Sequence, residues 1–235
     1  STGLGVLAIA ILYAWVPDPT GAANHASAPT QRGSFWLVLR NAELWRMDAG
    51  VFVLHALMTS LFIAVPLSLE SAGIGSADQW QIYVPAVIGA LVVMLPLVFF
   101  AERRGQMRTV FLLSIMLLAL APFAFTVSVS AIFLGIALAV FFGAFSALEA
   151  MMPSRVSKIV SPQRKGTALG VYASCQFFGA FAGGVLGGLL YGAGGALWLF
   201  IGSAILALLW FCIALGMAGS QDRSADLTTA PHNSL

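Results

Sequence analysis

Residues 147–188 read ALEAMMPSRVSKIVSPQRKGTALGVYASCQFFGAFAGGVLGG, and this stretch combines three features that rarely occur together in a soluble domain. An acidic residue, Glu149, stands in an apolar run, and the loop behind it contains four of the chain's eleven basic residues. A second apolar helix follows, and its glycines are Gly179, Gly183, Gly184, Gly187 and Gly188. Ionisable residues inside apolar helices and small residues at helical spacing are typical of polytopic membrane proteins.

The composition indicates the same class of protein. Of 235 residues, 60% are hydrophobic and 9% are charged, against roughly 25% charged residues in an ordinary soluble domain. The formal net charge of +2 gives no reason to predict a nucleic-acid partner. Cys175 and Cys212 lie inside apolar runs, so they do not indicate a disulfide framework. We predict an all-α polytopic membrane protein without a metal or a cofactor.

Six segments approach the roughly 20 apolar residues that a membrane-spanning helix needs. They are residues 44–69, 79–100, 109–127, 131–152, 167–190 and 196–217. We therefore predict a bundle of six transmembrane helices over residues 44–219.

The region before this bundle has two parts. Residues 1–16 are apolar but too short to cross a bilayer, and Pro17 and Pro19 end their helix. We predict that they are the end of a preceding transmembrane helix whose start is missing. Residues 17–43 are predicted to be a linker with a short interfacial helix at residues 34–43, where aromatic side chains stand beside arginines.

The basic residues are confined to alternate connections between the spans. All eleven lie at or before the start of the first span, after the second, after the fourth, or in the polar tail. They are Arg32, Arg40, Arg46, Arg103, Arg104, Arg108, Arg155, Lys158, Arg164, Lys165 and Arg223. Because cytoplasmic loops carry the excess of Lys and Arg, we predict that the linker at residues 17–43 and the tail at residues 220–235 are cytoplasmic.

The connection after the second span reads VFFAERRGQMR and resembles the signature G-x-L-A-D-R-x-G-R-R of the major facilitator superfamily. The positions that match are Ala101, Glu102, Arg103 and Gly105. The positions that depart from it include Val98, Gln106 and Met107. Residues 147–188 resemble the tenth and eleventh helices of the drug:proton antiporter branch, especially its YajR-type inner-membrane efflux transporters.

This resemblance implies the C-terminal half of a carrier, in which residues 1–16 end helix six and residues 44–219 form helices seven to twelve. It implies transport by alternating access, in the form of proton-coupled efflux of drugs or small metabolites, by a protein that is not an enzyme. The implied location is the inner membrane with a cytoplasmic C-terminus. The implied partners are the lipid bilayer, an N-terminal six-helix half, a small-molecule substrate and protons.

Two other classes of six-span protein are alternatives. An intramembrane serine protease needs a nucleophile with flanking glycines and a histidine at matching depth. The nearest stretch is FFGAFSAL, where Ser146 lacks that glycine pattern. A channel would need a filter or a ring of polar residues, and the sequence has no such repeated pattern.

The resemblance also implies a gating charge cluster made of Glu102, Arg103, Gly105 and Glu149. Glu149 stands one turn before a proline and close to the predicted cytoplasmic end of its span. In one interpretation Glu149 pairs with Arg103 or Arg104 in one state of the carrier. In the other, burial makes Glu149 the carrier of the coupling proton. Its position near the interface favours the ion pair.

His55 is the one histidine inside a predicted span and the second candidate for proton coupling, because histidine changes charge near neutral pH. It shares a helical face with Asp48, Phe52, Thr59 and Phe62, and in the resembled family this face lines the central cavity. The alternative is a histidine that bonds a neighbouring helix without a transport role. The predicted substrate cavity consists of Phe52, Thr59, Tyr83, Phe145, Tyr172 and Gln176.

Two ridges of small residues run along the fifth span at i, i+4 spacing, with Gly179, Gly183 and Gly187 in one and Ala180, Gly184 and Gly188 in the other. Small residues let helices approach closely in lipid. Static helix packing is the favoured interpretation of these ridges, and sliding of helices during alternating access is the other.

Overall fold

The computed structural model describes residues 2–15, 34–127 and 130–216, and almost all of them are helical. The helices are α1 (Thr2–Trp15), α2 (Ser34–Leu39), α3 (Ala42–Ser71), α4 (Trp80–Arg103), α5 (Met107–Val127), α6 (Ala131–Ile159) and α7 (Lys165–Leu215). The five helices α3 to α7 are long and apolar enough to cross a membrane. The prediction of an all-α polytopic membrane protein is confirmed.

Helix α7 contains two membrane spans, because it folds back on itself. Its 51 residues would extend roughly 75 Å as one straight helix, more than twice the hydrocarbon thickness of a bilayer. The backbone leaves helical geometry at Gly194 (φ −159°, ψ 25°) and Gly195 (φ 69°, ψ −161°). Residues on both sides of this break contact one level of α3, since Gly179 lies against Phe52 and Trp210 lies against Gly50. The bundle therefore has the six spans that the sequence predicts.

Several helix boundaries differ from the predicted segments, and the largest differences are in α2 and α6. Helix α2 ends at Leu39, short of the predicted residue 43, because Asn41 caps α3 by accepting hydrogen bonds from the Glu43 and Leu44 amides at 2.9 and 3.2 Å. Helix α6 continues through Pro153 to Ile159, beyond the predicted end of that span at residue 152. Transmembrane helices tolerate an internal proline where neighbouring groups satisfy the backbone.

The basic residues of the described connections lie at one end of the bundle, which we call the basic end; they are Arg103, Arg104, Arg108, Arg155, Lys158, Arg164 and Lys165. Arg108 Nη2 donates to the Leu215 carbonyl oxygen at 2.9 Å and joins the start of α5 to the end of α7. Arg155 Nη2 lies 3.6 Å from Glu43 Oε1 and joins α6 to the start of α3. The cytoplasmic assignment of this end stays a prediction. Residues 17–33 of the predicted linker and the whole predicted tail (residues 220–235) lie outside the described residues.

Helix α4 presents an apolar face to the outside of the bundle. Val84, Ile88, Leu91 and Leu95 follow one another at helical spacing, and each side chain is half or more exposed. On a soluble protein such a stripe would be an association surface, whereas on a membrane protein it suits contact with lipid acyl chains or with another transmembrane helix. The outer surface of the bundle thus suits the bilayer that the composition predicts.

Helix α3 and the first arm of α7 (residues 165–193) approach each other at three glycines. A Cβ atom added to Gly179 or Gly183 would overlap the backbone of Phe52 or Ala56 respectively. One turn further along α7, a Cβ added to Gly187 would lie 3.0 Å from the Ser60 hydroxyl oxygen. That hydroxyl donates a buried hydrogen bond of 2.9 Å to the Gly183 carbonyl oxygen. Of the second predicted ridge, Gly184 only approaches the Thr59 methyl group, and Gly188 faces open space.

The glycine ridge gives a stability prediction with an internal control. Gly183→Ala should lower the thermal unfolding midpoint of the full-length protein, because its new methyl group meets backbone that cannot rotate away. Overpacking of this kind typically costs about 1–3 kcal/mol. Gly188→Ala should leave the midpoint unchanged or raise it slightly, because alanine is the better helix former by about 1 kcal/mol. Equal midpoints for the two variants would contradict the close packing of α3 and α7.

Candidate functional site

A polar cluster joins three helices in the middle of the apolar bundle. His55 lies on α3, Glu149 on α6 and Gln176 on the first arm of α7. Gln176 Nε2 lies 2.9 Å from His55 Nε2 and 3.3 Å from Glu149 Oε1. His55 Nε2 lies 3.8 Å from the second carboxylate oxygen, Glu149 Oε2. The His55–Glu149 pair and the Gln176 amide therefore contact one another within a single polar cluster.

The hydrogen bonds of the His55 ring determine which nitrogen carries the hydrogen. Nδ1 lies 3.2 Å from the Val51 carbonyl oxygen, which can only accept, so Nδ1 carries the hydrogen and donates. Nε2 is then the unprotonated nitrogen, and it accepts from the Gln176 amide. The nitrogen that accepts from Gln176 is also the ring atom that lies 3.8 Å from Glu149 Oε2.

Glu149 is farther from the end of its helix than the sequence predicts, because Pro153 does not end α6. Helix α6 continues for ten residues beyond Glu149 to Ile159, which is about 15 Å of helix. Its neighbour His55 is thirteen residues, or about 20 Å, from the start of α3. The position of Glu149 near the cytoplasmic interface stays a prediction.

The structure does not bring the predicted gating residues together. The Arg103 guanidinium lies 5.5 Å from the ring centroid of Phe99, and that of Arg104 lies 4.9 Å from the ring centroid of Phe100. Neither arginine meets Glu149, whose contacts are with His55 and Gln176. Glu102 is exposed on the same connection, and Gly105 takes a positive φ of 63° that makes the turn. The ion pair that joins helices at the basic end is Arg155 with Glu43.

An apolar cavity of about 350 Å³ opens beside this cluster, between α3, α4 and α6. Its lining contains Met58, Phe62, Tyr83, Val87, Ala90, Leu91, Phe142, Phe145 and Ser146. The Phe145 ring also packs edge-on against the His55 ring, with centroids 5.4 Å apart and an interplanar angle of 67°. The cavity and the polar cluster therefore share a wall.

Only two of the six predicted cavity residues, Tyr83 and Phe145, line this cavity. The Phe52 backbone packs on Gly179, and the Thr59 hydroxyl donates to the His55 carbonyl oxygen at 2.9 Å. Tyr172 is buried, and Gln176 belongs to the polar cluster. A signal for the missed residues was present, because Phe142, Phe145 and Ser146 share one helical face with Glu149.

The geometry does not support the serine protease alternative. Ser146 lines the cavity, but within the described residues its hydroxyl makes no hydrogen bond to His55. Both ring nitrogens of His55 already have partners, in the Val51 carbonyl and the Gln176 amide. A nucleophile and its base need to lie within hydrogen-bond reach. In the same part of the chain, no cluster of His, Cys, Asp and Glu is arranged to hold a metal ion.

Comparison with known proteins identifies relatives that are transporters. The chain is 32% identical over 215 residues to the inner membrane transport protein YajR of Escherichia coli (strain K12), covering 91% of this chain and 47% of that protein. It is 27% identical over 144 residues to an uncharacterized transporter of Buchnera aphidicola subsp. Acyrthosiphon pisum, covering 61% of this chain and 37% of the relative. It is 24% identical over 190 residues to an uncharacterized transporter of Buchnera aphidicola subsp. Baizongia pistaciae, covering 77% of this chain and 47% of the relative.

These matches agree with the resemblance found in the sequence. The chain spans about half the length, or less, of the curated relatives that it matches. The family model of the Major Facilitator Superfamily matches residues 47–231, which includes all of the described bundle after the first turn of α3. This chain is thus a multi-pass membrane protein with transporter relatives, and it belongs to the Major Facilitator Superfamily.

Proposed function

We propose that this chain forms one half of a proton-coupled exporter of drugs or small metabolites, and that its polar cluster binds the coupling proton. The observation that carries the proposal is the 3.8 Å approach of His55 Nε2 to Glu149 Oε2 in the middle of the apolar bundle. Ionisable residues are costly inside a membrane and mark ion pathways or proton relays. Two of them that contact each other on different helices form a site for one exchangeable proton.

Protonation of the cluster changes which helices are joined. While Nε2 is unprotonated, it accepts from Gln176 and ties α3 to α7. A proton on Nε2 places two N–H groups face to face, so Gln176 has to turn its amide or move away. The protonated ring then donates to Glu149 Oε2 and ties α3 to α6 instead. Gain and loss of one proton would thereby exchange one interhelical contact for another, which is the link that alternating access requires.

The cavity supplies the substrate side of this proposal. Its lining is aromatic and aliphatic, with the Tyr83 and Ser146 hydroxyls as its polar groups. Pockets of this volume and character bind small, largely apolar molecules. Because Phe145 touches both the cavity and the His55 ring, a molecule in the cavity presses on the group that holds the proton. Substrate binding and proton binding would influence each other through that ring.

The proposed setting follows from the family and from the charge distribution. The carrier lies in the inner membrane, with the basic end and the C-terminus facing the cytoplasm, as the excess of Lys and Arg there favours. The bundle of α3 to α7 packs against an N-terminal six-helix half, and the substrate path runs between the two halves. The exposed side of α4 faces lipid.

The proton site is tested by a matched pair of substitutions. Glu149→Gln should abolish ethidium transport driven by an imposed pH gradient in vesicles containing the full-length transporter. We expect a loss of at least about 100-fold, because the neutral amide removes the carboxylate that the protonated His55 ring pairs with, and a positioned proton-transferring group contributes this much or more. Ethidium exchange at equal pH should persist, since it needs no net proton transfer.

Glu70→Gln makes the same chemical change at the exposed end of α3 and should leave both activities intact. Gradient-driven transport that survives Glu149→Gln would contradict the proposed proton site. Loss of exchange together with gradient-driven transport would show that the residue serves folding or substrate binding.

The cavity is tested by filling it. Ser146→Trp should place an indole ring in the space of about 350 Å³ and reduce ethidium transport in both assays, with the thermal unfolding midpoint little changed. Leu209→Trp adds a similar ring on an exposed face of α7 and should transport normally. Normal transport by the Ser146 variant would exclude this cavity from the substrate path.

A further inference from the structure

Helix α2 presents large apolar side chains at the surface of the basic end. Phe35, Trp36 and Leu37 are each more than half exposed, and as consecutive helical residues they cover about 200° of the helix circumference. The next residue, Val38, is buried and packs α2 onto the core of the bundle. A contiguous exposed apolar surface marks a site of contact with a membrane or with another molecule.

Two arginines stand beside this apolar surface. Arg40 follows α2 directly and is exposed, whereas Arg46 lies on α3, five residues past the cap residue Asn41. That is about 7.5 Å along the helix, and a long arginine side chain reaches back toward the level of the helix start. Within the described residues, neither side chain makes a hydrogen bond or an ion pair. Arg108 and Arg155 at the same end each bond another helix, so the two arginines beside α2 are available to a ligand.

The exposed tryptophans of the bundle, in the part of the chain that the structure describes, lie at the ends of its spans. Trp36 and Trp45 are at the basic end. At the opposite end, Trp80 begins α4 and Trp198 follows the turn inside α7. All of them are more than half exposed, and tryptophan is enriched at both membrane–water interfaces, where its ring lies at the level of the lipid headgroups. The tryptophans therefore indicate that α2 and the start of α3 lie at headgroup level.

The two ends of the bundle differ in charge, and this difference determines which headgroup suits α2. At the end opposite to α2, the charged residues that the structure describes are Glu70 and Asp78. At the basic end the acids are Glu43 and Glu102, and the arginines and lysines outnumber them. Basic groups near a membrane surface attract anionic lipids. An anionic headgroup is thus attracted to the end that contains α2 and repelled from the other end.

We propose that α2 and the start of α3 bind an anionic phospholipid, with its phosphate at Arg40 and Arg46 and its acyl chains against the exposed side chains of α2. A guanidinium group is always charged and matches a phosphate in geometry. A zwitterionic phosphatidylcholine has a cationic group of its own, which the arginines repel, whereas an anionic phosphatidylglycerol has none. The inference needs only a basic end at a membrane surface, so it is independent of the proposed proton site.

The test is tryptophan fluorescence of the full-length transporter in vesicles of phosphatidylcholine and phosphatidylglycerol, with bromine on the acyl chains of one lipid or the other. Bromine quenches a tryptophan that the labelled lipid contacts. The signal of Trp36 is the part of the fluorescence that Trp36→Phe loses, and the signal of Trp80 is obtained in the same way from Trp80→Phe. We expect phosphatidylglycerol to be favoured over phosphatidylcholine at Trp36 by at least about five-fold, the effect of one basic residue near a membrane surface. At Trp80 we expect no preference for phosphatidylglycerol.

Substitutions of the two arginines test the phosphate site itself. Arg40→Gln together with Arg46→Gln should abolish the preference for phosphatidylglycerol at Trp36, whereas Arg40→Lys should keep most of it because the charge is retained. Arg104→Gln is the matched control. It removes the same charge from a different connection of the basic end, where the guanidinium lies over the Phe100 ring, and it should leave the preference at Trp36 unchanged.

Three outcomes would overturn the proposal. Equal quenching of Trp36 by the two labelled lipids would show that α2 lies at headgroup level without selecting an anionic lipid. Quenching of Trp36 by neither lipid would show that the N-terminal half or a second copy of the protein covers α2 instead. A preference that survives the double arginine substitution would exclude Arg40 and Arg46 as the phosphate site.

Discussion

The close approach of α3 and α7 at Gly179, Gly183 and Gly187 is the constraint on which the candidate site depends. Gly179 and Gly183 lie directly on the backbone of α3, and the Ser60 hydroxyl donates to the Gly183 carbonyl oxygen. In lipid, where no hydrophobic force drives helices together, such backbone contact is a main source of association. The register it imposes brings Gln176 within hydrogen-bond distance of His55.

The packing of α3 against α7 brings the members of the polar cluster together. His55 alone would be one histidine among apolar side chains, bonded through Nδ1 to its own helix. Gln176 lies on one side of the ring and Glu149 on the other, so His55 Nε2 can accept from the amide or donate to the carboxylate, depending on whether it carries a hydrogen. In the proposed function, protonation of that nitrogen determines which of the two partners it bonds, and each partner belongs to a different helix. A local change of charge would thus become a change of interhelical contact, which is how a switch acts on a packed bundle.

Hydropathy and charge predict the class of fold and the six spans, because these depend on the residues of each segment and on the thickness of the bilayer. The glycine spacing indicates a closely packed face on α7 but cannot identify α3 as its partner. The sequence did not show that α6 continues past Pro153, because a proline often ends a helix. The contacts of Glu149 with Gln176 and His55 were missed because those residues become its neighbours only through tertiary packing, whereas the family signature suggested Arg103 as its partner.

Binding calorimetry tests the central claim most directly, namely that the cluster exchanges a proton against the substrate. The enthalpy of ethidium binding to the full-length transporter is measured in buffers of different ionisation enthalpy, so that any proton exchanged with the buffer contributes to the heat. We expect the binding enthalpy of the natural protein to vary with the buffer and the binding enthalpy of Glu149→Gln to be the same in every buffer. An enthalpy independent of buffer in the natural protein, or an unchanged dependence in the variant, would contradict it.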